Sequence, residues 1–259
     1  MISEETHLIF TRGNNRMHYE ISGSGDSWLL LLHGWGGSTQ SLYAAARDFA
    51  DTKHVINIDF PGFGESPEPD SVWGVGEYAD MVLGLLDELK IERTDVISHS
   101  FGGRVTLMMN EKRPGLIRRQ VLTGCAGLTD PEQKSGKSLS RAYDNRLTRA
   151  VLGDSGVEKL RNFVRSHFGS EDYKNASPRM REIFKVVIAQ DLRFCLPCVK
   201  ASTLLIWGEN DTATPLWMGK EMEKSIGDAA LIVFENSGHF AYLEQYGRFI
   251  AIARQFLNA

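Results

Sequence analysis

Hydrophobic positions along the chain fall into two alternating textures. Short runs dense in Val, Ile and Leu predict strands buried on both faces. They are Trp28–Leu32, His54–Ile58, Asp95–Ser98, Gln120–Thr123, Thr203–Trp207 and Leu231–Phe234. Between most of them, apolar residues recur at helical spacing. In Tyr78–Leu89, Met81, Val82, Leu85, Leu86 and Leu89 follow the three- and four-residue steps of one buried helix face. Alternation of this kind predicts right-handed crossovers and an α/β fold with a mostly parallel sheet covered on both sides. The first two segments, Leu8–Arg12 and Met17–Ile21, have no helix between them. Gly13-Asn14-Asn15 is turn chemistry, which predicts an antiparallel hairpin at the sheet edge.

The rhythm stops between residues 126 and 198, where no buried strand is legible and only helix-like segments such as Glu158–Phe168 and Met180–Ala189 occur. This stretch carries 13 Lys+Arg against 9 Asp+Glu, net +4, which leaves −8 for the remainder. Residues 1–125 and 199–259 are therefore expected to form the core. Residues 126–198 are expected to form a helical lid at the carboxyl edge of the strands, where open α/β sheets bind ligands. A plain helical excursion that buttresses the sheet is the alternative.

Composition narrows the class. With 259 residues, 42% hydrophobic, 24% charged and a net charge of −4, the chain is of ordinary globular type, neither disordered nor fibrous. Mild acidity argues against nucleic acid as a partner. No apolar run approaches the roughly 20 residues of a membrane span. Met1-Ile2-Ser3-Glu4-Glu5 carries acids where a signal peptide would carry base, so a cytoplasmic location is expected. Three cysteines make an odd count, and Cys195-Leu196-Pro197-Cys198 lies late, just before a strand, without a second ligand pair. These read as ordinary thiols, and no metal is expected.

The chemistry concentrates at strand ends. Ser98-His99-Ser100-Phe101-Gly102-Gly103 follows a strand and opens a helix expected to run to about Glu111. A serine on so sharp a turn is held in strained backbone with its hydroxyl exposed, and small residues two positions to either side let strand and helix pass closely. Gly102 meets that need; Ser98 stands where glycine is the usual choice. A serine hydroxyl needs a base and a group to orient that base. Asp211, in Trp207-Gly208-Glu209-Asn210-Asp211, and His239, in Ser237-Gly238-His239-Phe240, each follow a later strand, so both should emerge at the edge that carries Ser100. Glu209 competes with Asp211 but lies nearer its strand and is expected to face solvent or cap the loop. His33-Gly34-Trp35-Gly36-Gly37-Ser38 supplies a glycine loop whose Trp35 amide, with that of Phe101, forms a candidate oxyanion hole. The loop lacks the third glycine of a dinucleotide fingerprint, and no Gly-Lys-Ser/Thr of a phosphate loop occurs.

HGWGGS, DFPGFGES, SHSFGG, GENDTATP and SGHFAYLE together resemble the α/β-hydrolase superfamily over essentially the whole chain, in particular its small lidded esterases and C–C-bond hydrolases. The resemblance implies a sheet of about eight strands and a lid of several helices. It implies Ser100 as nucleophile, His239 as general base and Asp211 as its orienting acid. Asp59 and His33 match positions that are usually structural.

The expected activity is cleavage of a small carboxylic ester through an acyl-enzyme, without a cofactor. The same residues also serve a C–C hydrolase or triad-dependent lyase acting on an acidic metabolite, or a slow receptor on the same scaffold. Peptidase, thioesterase and lactonase activities share the remainder. Trp35, Phe101 and Phe240, with Trp217, are candidate substrate-lining side chains. One or two lid arginines are candidates to clamp a substrate carboxylate. The partner is a small molecule with a carbonyl, and the chain is expected to be a monomer or homodimer.

Overall fold

A computed structural model describes residues 6–129 and 176–258. Eight strands form one sheet in the order β1-β2-β4-β3-β5-β6-β7-β8. They are β1 (Thr6–Arg12), β2 (Asn15–Ser22), β3 (Trp28–Leu32), β4 (His54–Ile58), β5 (Thr94–His99), β6 (Ile117–Thr123), β7 (Ser202–Gly208) and β8 (Ala229–Phe234). β2 is antiparallel to both β1 and β4, and every later pairing is parallel. The hairpin turn is tighter than the sequence suggested. Arg12 pairs with Asn15, leaving only Gly13 and Asn14 in the loop. Gly13 takes φ +61 while Asn14 keeps a negative φ, the pattern of a type II′ turn, whose twist matches that of the strands.

Strand side chains alternate between two apolar layers. Leu30 and Leu32 of β3 join the layer covered by α2 (Val75–Glu88) and α3 (Phe101–Lys112). Leu29 and Leu31 join the layer covered by α1 (Tyr43–Phe49) and the C-terminal helix. The uninterrupted apolar run therefore marks a strand buried on both faces, as parallel sheets require.

The predicted helix over Tyr78–Leu89 begins earlier, at Val75. Glu77 accepts the Gly74 amide at 2.8 Å, and Gln190, distant in sequence, accepts the Val75 amide at 2.8 Å. α4 (Pro178–Ala189) covers the predicted Met180–Ala189 segment and starts on a Ser177 cap followed by proline. The predicted Glu158–Phe168 helix and most of the expected lid lie outside the described residues. α5 (Trp217–Ser225), α6 (Ala241–Glu244) and α7 (Tyr246–Asn258) complete the order. At the amino edge of the sheet, Lys53 and Arg118 meet on the buried Asp95 and both donate to the Leu257 carbonyl. That clamp ties the last turn of α7 to β5 and leaves the opposite edge to chemistry.

Candidate active site

β5 ends at His99 and α3 begins at Phe101, so Ser100 alone reverses the chain. Its φ of 49° and ψ of −105° lie in backbone territory that non-glycine residues rarely occupy. Main-chain bonds hold it there. Its amide donates to Thr123 O at 3.0 Å, and its carbonyl accepts from Gly103 at 3.0 Å and Ala126 at 3.1 Å. Gly102 makes the turn possible, because a Cβ there would lie 2.2 Å from Leu32 O. Ser98 fills the other small position. It is fully buried, and its hydroxyl has no hydrogen-bond partner among the described residues.

The loop after β7 brings up Asp211. Its Oδ1 accepts the amides of Ala213 (2.8 Å) and Thr214 (2.9 Å), a local turn that aims Oδ2 away. Oδ2 lies 2.9 Å from His239 Nδ1, which arrives on the loop after β8. Burial pushes the Asp211 carboxyl up, but hydrogen bonds from His239 and Thr214 outweigh it and hold it below the usual carboxylate range. A Cβ on Gly124 would lie 3.2 Å from both Asp211 Oδ2 and His239 Nδ1. The residue before it, Thr123, carries the carbonyl that fixes Ser100. A Cβ on Gly34, in turn, would lie 3.5 Å from that of Ser100. The four predicted strand-end segments thus meet at one edge of the sheet.

The glycine loop is set by His33. The Phe60 amide donates to its Nε2 at 3.0 Å, so the ring proton sits on Nδ1 and is donated to Gly34 O at 2.6 Å. Gly37 donates to the same carbonyl at 3.0 Å. In a trans peptide the C=O and the following N–H point in opposite directions, so pinning Gly34 O aims the Trp35 amide the other way. Burial keeps His33 neutral, its pKa pushed down to about 4. Phe101 heads α3, and its amide is one of the four that a helix N-terminus leaves without an intrahelical acceptor.

The predicted lining residues separate. The Trp35 ring packs against Phe63 (4.9 Å between centroids), Phe101 (5.2 Å) and, from α4, Phe184 (5.2 Å). Phe101 is 2% exposed and closed among Phe60, Tyr78 and Trp35, so its ring belongs to the core. Phe240 is 50% exposed beside His239. Trp217 lies under the Arg193 guanidinium. Arg193 is itself held by Asp191, Glu221 and Thr129 O, and Arg179 donates to Pro69 O. Lid arginines 141, 146, 149, 161 and 165 lie outside the described residues. Glu209 accepts the Asn236 amide at 3.1 Å and so caps the loop.

A family model described as the alpha/beta hydrolase fold matches residues 27–246. The chain belongs to this family. It is 29% identical over 266 residues to a 2-hydroxymuconate semialdehyde hydrolase of Pseudomonas sp. strain CF600, covering 93% of this chain and 90% of that protein. Among solved structures it is similar to the enol-lactonase of Burkholderia xenovorans LB400. That match has a TM-score of 0.76 at 22% identity and covers 97% of this chain and 100% of the other. It is also similar to a thermophilic esterase of Thermogutta terrifontis, with a TM-score of 0.72, 21% identity and coverage of 99% and 98%. The eight-stranded, mostly parallel sheet and its flanking helices agree with this membership.

Several residues of this hydrolase site were not singled out from the sequence. The Thr214 hydroxyl lies 2.8 Å from Asp211 Oδ2, 3.0 Å from Gly124 O and 3.3 Å from His239 Nδ1. Its spacing, three residues after a loop aspartate, is the available signal. Glu244 accepts the Gly238 amide at 2.9 Å and braces the His239 loop. Arg104 is buried, with its pKa lowered by burial to about 10, and donates to the Val187 and Gln190 carbonyls. It thereby ties the end of α4 to the helix that follows Ser100. Among the described residues no group of three or more His, Cys, Asp or Glu is placed to hold a metal ion. Nor is any described helix long and apolar enough to cross a membrane. Cys195 is buried with its thiol pushed up to about 12, and Cys198 is half-buried; both are free.

Proposed function

We propose that the protein is a serine hydrolase that cleaves a small carboxylic ester, with Ser100 as nucleophile, His239 as general base and Asp211 as the group that orients it. The observation that carries this reading is the 2.9 Å Asp211–His239 pair beside the strained turn of Ser100. His239 Nδ1–H donates to the carboxylate, which leaves Nε2 with its lone pair to receive the Ser100 proton. The serine oxygen bonds to the carbonyl carbon, and the amides of Phe101 and Trp35 donate hydrogen bonds to the carbonyl oxygen as it becomes negative. Collapse breaks the bond to the leaving oxygen, which takes the proton from His239. Water then adds to the acyl group with its proton going to His239. Collapse breaks the bond to the Ser100 oxygen, which takes that proton back from His239 as the acid leaves.

A carbon–carbon hydrolase is the second reading, favoured by the 2-hydroxymuconate semialdehyde hydrolase likeness. It places the same residues around a carbonyl and differs in the atom that leaves. Short p-nitrophenyl esters and a ring-cleavage dienoate, assayed side by side, discriminate the two. Faster turnover of the esters supports the first reading, and turnover of the dienoate alone replaces it with the second. A Ser100→Ala protein that still hydrolyses either substrate at the wild-type rate would remove both. The working context is a small-molecule substrate, no resident cofactor and a cytoplasmic location.

A further inference from the structure

His99, next to Ser100, is used by neither step above, yet it touches three parts of the site. It is 2% exposed. Its Nε2 lies 3.1 Å from the His239 carbonyl, which can only accept, so the ring proton sits on Nε2 and is donated there. Its ring lies 4.7 Å from that of His239 at an interplanar angle of 49°. Phe240 (5.1 Å) and Tyr242 (4.8 Å) close around it. The remaining nitrogen, Nδ1, carries a lone pair and faces the glycine loop; a Cβ on Gly34 would lie 2.7 Å from it.

We propose that His99 is a positioning residue that sets the His239 ring and the Gly34 loop relative to Ser100. The inference rests on the serine-hydrolase reading. A general base must present its nitrogen to the hydroxyl within a few tenths of an ångström, and misplacement by about 1 Å costs on the order of 10²-fold. Asp211 and Thr214 meet His239 at Nδ1, at one end of the ring. The His99 bond to the His239 main chain and the face of its ring restrict tilting about that end. His99 also has to stay uncharged, because His239 becomes an imidazolium during the reaction. The ionisable groups around His99 are His239, Asp211, His33 and Tyr242. Burial first, and the His239 charge second, push the His99 pKa down to about 3.

The test uses three variants and two readouts. His99→Ala removes both the donor and the ring. His99→Phe keeps a ring without a donor, and His99→Gln keeps a donor without a ring. In His99→Ala, kcat for the best ester is expected to fall about 10- to 100-fold with KM within about threefold. The rate of fluorophosphonate labelling at Ser100 should fall in parallel. His99→Gln and His99→Phe should each recover part of both rates. Circular dichroism and the unfolding midpoint show whether each variant folds, and His99→Gln or His99→Phe carries the test where His99→Ala does not.

Wild-type-like kcat and labelling rates in folded variants would overturn the inference. So would a loss confined to KM, or one with no recovery in His99→Gln or His99→Phe. Failure of the wild-type protein to label at Ser100 would instead defeat the serine-hydrolase reading, which separates the two failures.

Discussion

Lowering the pH from 7.5 to 5.0 is expected to remove about 4 kcal/mol of folding stability through His33 and His99 alone. Both are buried and neutral, with pKa values pushed down to about 4 and about 3, chiefly by burial. In the unfolded chain each returns to about 6.5. Above that value neither state is protonated and stability is full. As the pH falls below 6.5, the unfolded chain takes up two protons that the folded chain refuses. Stability then declines by about 1.4 kcal/mol per pH unit for each histidine until the folded value is reached. At pH 5.0 burial still holds both rings neutral, against the carbonyls of Gly34 and His239, which favour the charged form. The stability loss is thus a property of the folded site rather than of its collapse. Urea unfolding followed by tryptophan fluorescence at pH 7.5, 6.5, 5.5 and 5.0 measures it. The His99→Gln variant should lose only about 2 kcal/mol through the surviving His33 over the same range. Curves for wild type and variant that run parallel would refute the assignment of a buried, neutral His99.

Asp211→Asn should leave folding intact and lower kcat by about 10³- to 10⁴-fold, because an amide favours the wrong His239 tautomer; steady-state ester hydrolysis reads it. Ser98→Ala removes a buried hydroxyl that has no partner among the described residues, and is expected to be neutral or to raise stability by about 1 kcal/mol in urea unfolding. Gly102→Ala places a methyl 2.2 Å from Leu32 O, so α3 has to move off β3. A loss of about 3 kcal/mol or failure to fold is expected, and a wild-type unfolding midpoint would contradict the close approach. Arg104→Met strands the Val187 and Gln190 carbonyls and should lower the urea midpoint by the equivalent of about 2 kcal/mol.

What could be read from the sequence followed from periodicity and from the geometry of strand ends. Trp28–Leu32 and His54–Ile58 form strands with those same bounds, because runs buried on both faces stop abruptly where polar loop residues begin. β6 starts three residues earlier than expected, at Ile117, since Arg118 reads as a loop residue until Asp95 is there to receive it. The start of α2 was hidden for the same reason, its first amide being satisfied by Gln190 from a distant part of the chain. The candidate site divides along the same line. Ser100, Asp211 and His239 were legible because each follows an apolar strand, although β8, at the sheet's edge, is only half-buried, and parallel strands deliver their following loops to one edge. His99 and Arg104 were not, because their partners are main-chain carbonyls and rings from other segments, and a carbonyl leaves no mark in a sequence. Thr214 left only the weak mark of its spacing from Asp211. Groups that act on substrate are constrained by residue type, whereas groups that aim them are constrained by place. Of the two kinds, only the first can be found before the chain is folded.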